Sequence, residues 1–254
     1  MGIFKKKQKV SPHAAINYKG KLLNDNTPFA VAESFKSLRT NLLFMSNNER
    51  CPVYGVVSSF QATGKSLISA NLAIAFSLMN KKVLLIDGDL RHASLSAYMG
   101  SPKQGLSTYL NGQATNIDEL IVKYNDTTLD VLPVGKIPPN PTELVGNGKL
   151  QTLINNLKSK YEYIIIDCPP VDIVADTQII AKMVDRTLFV VRTGLMERSM
   201  IGEIQSISDT GRFNNMSLIL NGTGYEKGKY YYHHGYGYGY GYGYGYSHNY
   251  YTES

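Results

Sequence analysis

The chain has no tryptophan, only two cysteines, and no apolar run approaching the 18 residues that a membrane-spanning helix needs. Cys51 and Cys168 lack both metal-ligand spacing and the density of a disulfide-stapled scaffold, so a reduced, cytosolic setting is expected. The basic start MGIFKKKQKV is not followed by an apolar stretch, so no secretory signal is expected either. Position 6 is Lys6 where an N-myristoylation motif asks for Ser or Thr, which sets that anchor aside. Acidic excess is missing too, since 26 Lys and Arg stand against 20 Asp and Glu for a formal +6. That surplus is local. Residues 1–50 carry nine basic and three acidic side chains, whereas the rest of the chain holds 17 of each sign. The main body is neutral and no nucleic-acid partner is expected overall; the basic arm by itself suits an anionic leaflet, another subunit, nucleic acid or simply a solvated terminus.

What is present suffices for one large α/β domain: 254 residues, 43% of them apolar. Composition divides the chain into a basic N-terminal arm over 1–28, a folded domain over 29–224 and a Tyr/Gly-rich tail over 225–254. Within the domain, short apolar runs read as strands at 53–59, 82–87, 129–134, 162–167, 186–192 and 216–221. Helical patterns fall at 65–79, 94–99, 107–110, 142–160, 177–184 and 197–210. Apolar strands alternating with helices predict a mostly parallel central sheet with helices on both faces, a P-loop NTPase type of α/β fold. In such sheets ligands sit beyond the carboxyl ends of the strands, where Ser59, Asp87 and Asp167 fall.

The segment Ser59-Phe60-Gln61-Ala62-Thr63-Gly64-Lys65-Ser66 matches G-x-x-x-x-G-K-[ST] except at Ser59. It follows a strand and opens a helix, the setting in which backbone N–H groups bind phosphate oxygens. Lys65 would add a charge at the β/γ-phosphates and the Ser66 hydroxyl would ligate Mg²⁺, so ATP and Mg²⁺ are the expected cofactors. Ser59, Gln61, Ala62, Thr63, Gly64, Lys65, Ser66 and Arg91 make up the expected nucleotide site. Asp87 and Asp89 flank Gly88 at one strand end, and Asp167 ends another strand before Cys168-Pro169-Pro170. Carboxylates so placed suit a metal shell (Ser66, Asp87, Asp167) and proton-handling chemistry (Lys65, Asp87, Asp89, Asp167).

Taken together, these residues resemble the bacterial tyrosine kinases of capsule and exopolysaccharide systems, in their single-domain form. The likeness runs from Glu33-Ser34-Phe35-Lys36-Ser37-Leu38-Arg39-Thr40-Asn41 through the P-loop and Asp87-Gly88-Asp89-Leu90-Arg91. It continues in Pro138-Pro139-Asn140-Pro141-Thr142-Glu143-Leu144, the Asp167 strand and Val190-Val191-Arg192, and ends in the tyrosine-rich tail. The resemblance implies an ATP-dependent protein-tyrosine kinase that assembles into a homo-oligomeric ring and phosphorylates its neighbour's tail. It also implies a membrane activator of the polysaccharide co-polymerase kind that recruits the protein to the inner face of the membrane, and a tyrosine phosphatase that reverses the reaction. The ring motif of the family, Glu-x-x-Arg-x-x-Arg, is met here by Glu33, Lys36 and Arg39, with lysine at the middle place. Gln61 and Ala62 stand where the family's loop is richer in Pro and Gly.

The expected phosphoacceptors are Tyr230, Tyr231, Tyr232, Tyr236, Tyr238, Tyr240, Tyr242, Tyr244, Tyr246, Tyr250 and Tyr251, eleven of the chain's nineteen tyrosines. Gly at alternate positions makes ordering costly, so a disordered tail is expected. Two other readings compete. A partitioning or septum-positioning ATPase would carry a signature lysine five residues before Lys65, where this chain has Phe60. A non-catalytic nucleotide-binding scaffold draws its support from Gln61 and Ala62.

Overall fold

The computed structural model of the chain describes residues 22–223, apart from 47, 99, 172–174 and 196–199. Among these residues seven strands form one sheet: β1 (Val53–Val57), β2 (Val83–Asp87), β3 (Val122–Lys123), β4 (Leu129–Leu132), β5 (Tyr163–Asp167), β6 (Arg186–Arg192) and β7 (Ser217–Asn221). Their order is β3-β4-β2-β5-β1-β6-β7, parallel throughout except for the antiparallel edge pair β3–β4. The central strands read as unbroken apolar runs because helices cover both faces. Every residue of β1 and β2 is buried.

One face packs on α1 (Phe29–Met45), α2 (Lys65–Ser77) and α3 (Ser94–Tyr98), with Leu42, Phe76 and Leu95 joining Tyr54, Leu85 and Ile165 in a single cluster. The other packs on α4 (Leu106–Leu110), α5 (Pro141–Gly146), α6 (Lys149–Leu157), α7 (Asp176–Ala181) and α8 (Met200–Asp209), around Leu84, Ile166 and Phe189. Local sequence explains the difference between α2 and α6. In α2, Ala and Leu alternate with Ile on nearly all sides, which suits a helix wedged between the sheet and α1. In α6 the buried residues Leu150, Leu153, Ile154 and Leu157 recur at i, i+3, i+4 and i+7, the stripe of a surface helix.

The alternating architecture expected from the sequence is present, with four differences. The helix expected over 142–160 is two, because Gly148 turns left-handed (φ +82°) and ends any right-handed run there. Helix α1 has no counterpart among the expected elements. Its buried contribution is Leu42, and Phe29, Phe44 and Met45 are exposed, so it lacks a legible apolar period. Strand β3 is two residues long and pairs only at an edge. Leu22, within the segment read as the arm, is buried in the α1/α2 cluster, and the Leu23 N–H donates to Asn71 Oδ1 at 2.7 Å. No helix among the described residues is long and apolar enough to cross a membrane. Cys51 and Cys168 are free and buried.

One close passage fixes the rim of the sheet. The Leu106 N–H reaches Pro133 O at 2.7 Å and the Ser107 N–H reaches Val134 O at 2.9 Å, so the chain before α4 lies backbone to backbone on the end of β4. A Cβ at Gly105 would fall against Pro133 O and 2.6 Å from Gly135 N, which only glycine avoids.

Candidate active site

The P-loop occupies residues 58–64, between the end of β1 and the first turn of α2. Gly64 is left-handed (φ +95°), and Asn221 Nδ2 fills the place its Cβ would take. Ala62 is also left-handed (φ +59°), a conformation that costs an alanine roughly 1–2 kcal/mol. The strain is held by two side chains from neighbouring strand ends. Arg192 Nη1 donates to Ala62 O at 2.8 Å and Asn221 Nδ2 donates to Thr63 O at 2.7 Å. The first bond of α2 runs from the Ile68 N–H to Gly64 O, so the N–H groups of Lys65, Ser66 and Leu67 have no acceptor within the helix. Such a terminus attracts anions. Lys65, the residue that would carry charge to a phosphate, is itself buried here.

Parallel pairing of β2 with β5 sets Asp87 directly beside Asp167. Asp87 accepts from the Ser96 N–H at 2.7 Å and the Ser96 hydroxyl at 2.6 Å, and Ser96 Oγ in turn accepts the Val134 N–H at 2.8 Å. Asp167 accepts from the hydroxyls of Ser66 and Ser69. Asp89 Oδ1 accepts the N–H groups of Arg91 and His92. Asp87, Asp89 and Asp167 are 0%, 4% and 1% exposed, so three carboxylates crowd a volume with almost no water. Burial, then the charge of Asp167, raises the Asp87 carboxyl well above the usual carboxylate range. Burial raises that of Asp167 as well, opposed chiefly by Lys65. An additional cation would relieve both shifts.

No group of three or more His, Cys, Asp and Glu among the described residues encloses a metal by itself. Mg²⁺ takes one or two carboxylates and completes its shell with phosphate and water, and Asp87 and Asp167 lie side by side with the Ser66 hydroxyl on Asp167. The residues present fit such an ion.

The cleft above these groups measures about 540 Å³, within the range of small-molecule sites. Of the residues singled out from the sequence, Gln61, Ala62, Gly64, Lys65, Ser66 and Asp89 line it. Ser59 and Thr63 instead line a small apolar hollow beside Phe189 and Ile204, so their side chains are not part of the cleft. Arg91 does not line the cleft. Expected at the nucleotide, it turns away to the buried Asp176, donating through Nε at 2.8 Å, and to Thr142 Oγ1 at 2.8 Å. A carboxylate 1% exposed needs a cationic partner, and Arg91 serves it.

The cleft also includes His92, Arg192 and Asn221, which were not assigned to it from the sequence. The rule that ligands gather at the carboxyl ends of strands pointed to Arg192 and Asn221, the last residues of β6 and β7. His92 had no comparable signal. Of the expected ring residues, Glu33 accepts from Lys36 of its own helix at 2.7 Å, and Arg39 Nη1 donates to Ala75 O at the end of α2. All eleven expected phosphoacceptor tyrosines lie outside the described residues.

The family described as AAA domain matches residues 61–210. The tyrosine-protein kinase CpsD of Streptococcus agalactiae is 32% identical over 191 residues, covering 74% of this chain and 81% of CpsD. The chain belongs to the bacterial tyrosine-protein kinase family. The kinase domain of Escherichia coli tyrosine kinase Etk superposes with a TM-score of 0.74 at 28% identity, covering 85% of this chain and 84% of that domain. The septum site-determining protein MinD of Pyrococcus horikoshii, solved with Mg-ADP, shares the fold with a TM-score of 0.58 at 26% identity, covering 70% of this chain and 72% of MinD. The tyrosine-kinase reading is thus favoured over the positioning-ATPase one, and within this family the P-loop of the present chain carries Gln61 and a left-handed Ala62.

Proposed function

We propose that the chain transfers the γ-phosphoryl group of ATP to tyrosines of its own 225–254 tail, from one copy to the next within a ring, and so regulates capsular or exopolysaccharide synthesis. The observation that carries this reading is a cleft at the start of α2 lined by Lys65, Ser66 and Asp89, with the buried pair Asp87 and Asp167 at the adjoining strand ends and Asp167 bonded to Ser66. Little covalent chemistry is asked of a phosphoryl-transfer site; positioning and charge neutralisation supply the rate. Lys65 and the N–H groups that open α2 hold and orient the terminal phosphates. Ser66, Asp87 and Asp167 are the residues that would hold Mg²⁺, with Ser96 and Ser69 fixing the two carboxylates in place. When bound, Mg²⁺ neutralises charge developing on the phosphate oxygens. Asp89, at the floor of the cleft, marks where the tyrosine hydroxyl is received. A phenol ionises near pH 10, so reaction near neutrality requires an acceptor for its proton.

The ring is held by the Glu33, Lys36 and Arg39 segment, and the protein works in the cytoplasm at the inner face of the membrane. A membrane activator recruits it there and a tyrosine phosphatase resets it. Purified protein incubated with labelled MgATP, with and without an activator's cytosolic fragment, should yield phosphotyrosine on acid hydrolysis, and Lys65→Met should yield none. Full labelling of Lys65→Met, or no phosphotyrosine under either condition, overturns the assignment.

A further inference from the structure

Two adjacent strand ends reach onto the P-loop. Arg192 and Asn221 are register partners at the ends of β6 and β7, and the pairing runs on past them through the Thr193 N–H, which donates to Asn221 O at 2.9 Å. From this platform Arg192 Nη1 donates to Ala62 O at 2.8 Å and Asn221 Nδ2 donates to Thr63 O at 2.7 Å. Two consecutive loop carbonyls are thus tied to the sheet. In a trans peptide the C=O and N–H groups point in opposite directions, so the ties on Ala62 O and Thr63 O turn the N–H groups of Thr63 and Gly64 away from the strand ends. Neither N–H has an acceptor among the described residues. They join those of Lys65, Ser66 and Leu67 as donors free to meet phosphate oxygens.

One residue of the loop resists this shape. Ala62 holds φ +59°, a backbone conformation that glycine adopts freely and alanine does not. Left to itself, an alanine there favours the ordinary right-handed or extended basins by a factor of about 5–30. Gly64, at φ +95°, meets no such resistance. The bond from Arg192 to Ala62 O is therefore one that a loop with alanine at position 62 requires and a loop with glycine does not. Among the described residues no carboxylate pairs with Arg192, so its guanidinium is available for this task.

We infer that Arg192 is a positioning residue for the nucleotide: acting through Ala62, it keeps a strained P-loop in its phosphate-binding shape, and its importance is set by the alanine at position 62. This rests on the nucleotide-binding part of the reading above and goes beyond it, because competence of the loop is assigned to a side chain 130 residues downstream. When only a fraction of the molecules holds the loop ready, apparent affinity falls by that fraction. Loss of the guanidinium should therefore weaken nucleotide binding about 5–30-fold while residue 62 is alanine. With glycine there, left-handed backbone is populated about as readily as right-handed, and the same loss should weaken binding less than about threefold. A guanidinium that acted by touching the nucleotide would be missed equally in both settings.

The test is a cycle of four proteins, wild type, Arg192→Met, Ala62→Gly and the double variant, each titrated with a fluorescent ATP analogue in the presence of Mg²⁺. Arg192→Met should weaken binding about 5–30-fold relative to wild type, and less than about threefold when the double variant is compared with Ala62→Gly alone. In initial rates of phosphotyrosine formation the Arg192→Met loss should fall on KM for ATP, with kcat within about threefold, because saturating nucleotide restores the loop; general weakening of the domain gives no such split. A loss under about threefold for Arg192→Met with Ala62 in place, or equal losses in the two backgrounds, overturns the inference, and equal losses put the guanidinium on the nucleotide itself. The binding cycle needs no phosphoryl transfer. A wild-type protein that binds the analogue and makes no phosphotyrosine therefore overturns the kinase reading while the cycle still decides the role of Arg192, and a wild-type protein that binds no analogue overturns both.

Discussion

Replacing Arg91 with methionine isolates the tie between the Asp87-Gly88-Asp89 loop and helix α7. The guanidinium donates through Nε to Asp176 Oδ2 at 2.8 Å, and Thr142 Oγ1 donates to Asp176 Oδ1 at 2.6 Å while accepting from Arg91 Nη2. Asp176 is 1% exposed and Arg91 33%. Removing one partner of a buried ion pair costs about 3–5 kcal/mol because a charge is left uncompensated. Solvent around Arg91 and the surviving Thr142 bond place this case at the lower end, about 3 kcal/mol. For a domain of this size each kcal/mol lowers the melting temperature by roughly 2–4 °C, so Arg91→Met should melt about 6–12 °C early. Asp176→Asn removes the charge and keeps a hydrogen-bonding group, and the double variant should therefore recover about 1–2 kcal/mol relative to additivity. Calorimetry of the four proteins, with affinity for a fluorescent nucleotide measured on each, checks both halves. A shift under 2 °C for Arg91→Met, losses that simply add, or a nucleotide affinity that falls tenfold in Arg91→Met would refute the clamp and return Arg91 to the nucleotide.

The remaining expectations concern the carboxylates, the backbone crossing and the assembly. Because the folded Asp87 carboxyl is raised above its unfolded value near 4, the folded state keeps a proton that the unfolded state releases. Stability of the nucleotide-free protein should therefore fall as pH rises from about 4 through the raised value, and Asp87→Asn should flatten that slope in melts from pH 5 to 8; an unchanged slope assigns the effect elsewhere. Gly105→Ala must push backbone apart against Pro133 and Gly135, and we expect a loss above about 4 kcal/mol or failure to accumulate folded protein, against a wild-type-like melt if the crossing can relax. Glu33→Lys sets like charges together beside Lys36 and should reduce both assembly, read by light scattering, and tail labelling; undiminished mass would detach this segment from the ring.

Much of the fold was legible because burial on both faces leaves a plain mark on a parallel strand: an unbroken run such as Leu84-Leu85-Ile86 followed by an acid. Gly64-Lys65-Ser66 and the acids at 87, 89 and 167 were legible for a related reason, since strand ends and the first helical turn are places where local sequence and ligand chemistry coincide. Helix α1 was not, because few of its side chains are buried, and neither was the break at Gly148, because its apolar pattern resumes directly afterwards. Sequence order also says nothing of how side chains far apart divide their bonds. Only tertiary packing sent Arg91 to Asp176, 85 residues away, and brought Arg192 and Asn221 onto the P-loop carbonyls from 130 and 158 residues downstream. The same packing turned His92 toward both Asp89 and Gln61. Short-range steric preference and apolar periodicity are properties of the chain itself, whereas the partner of a buried charge is chosen by which groups the finished sheet brings within reach.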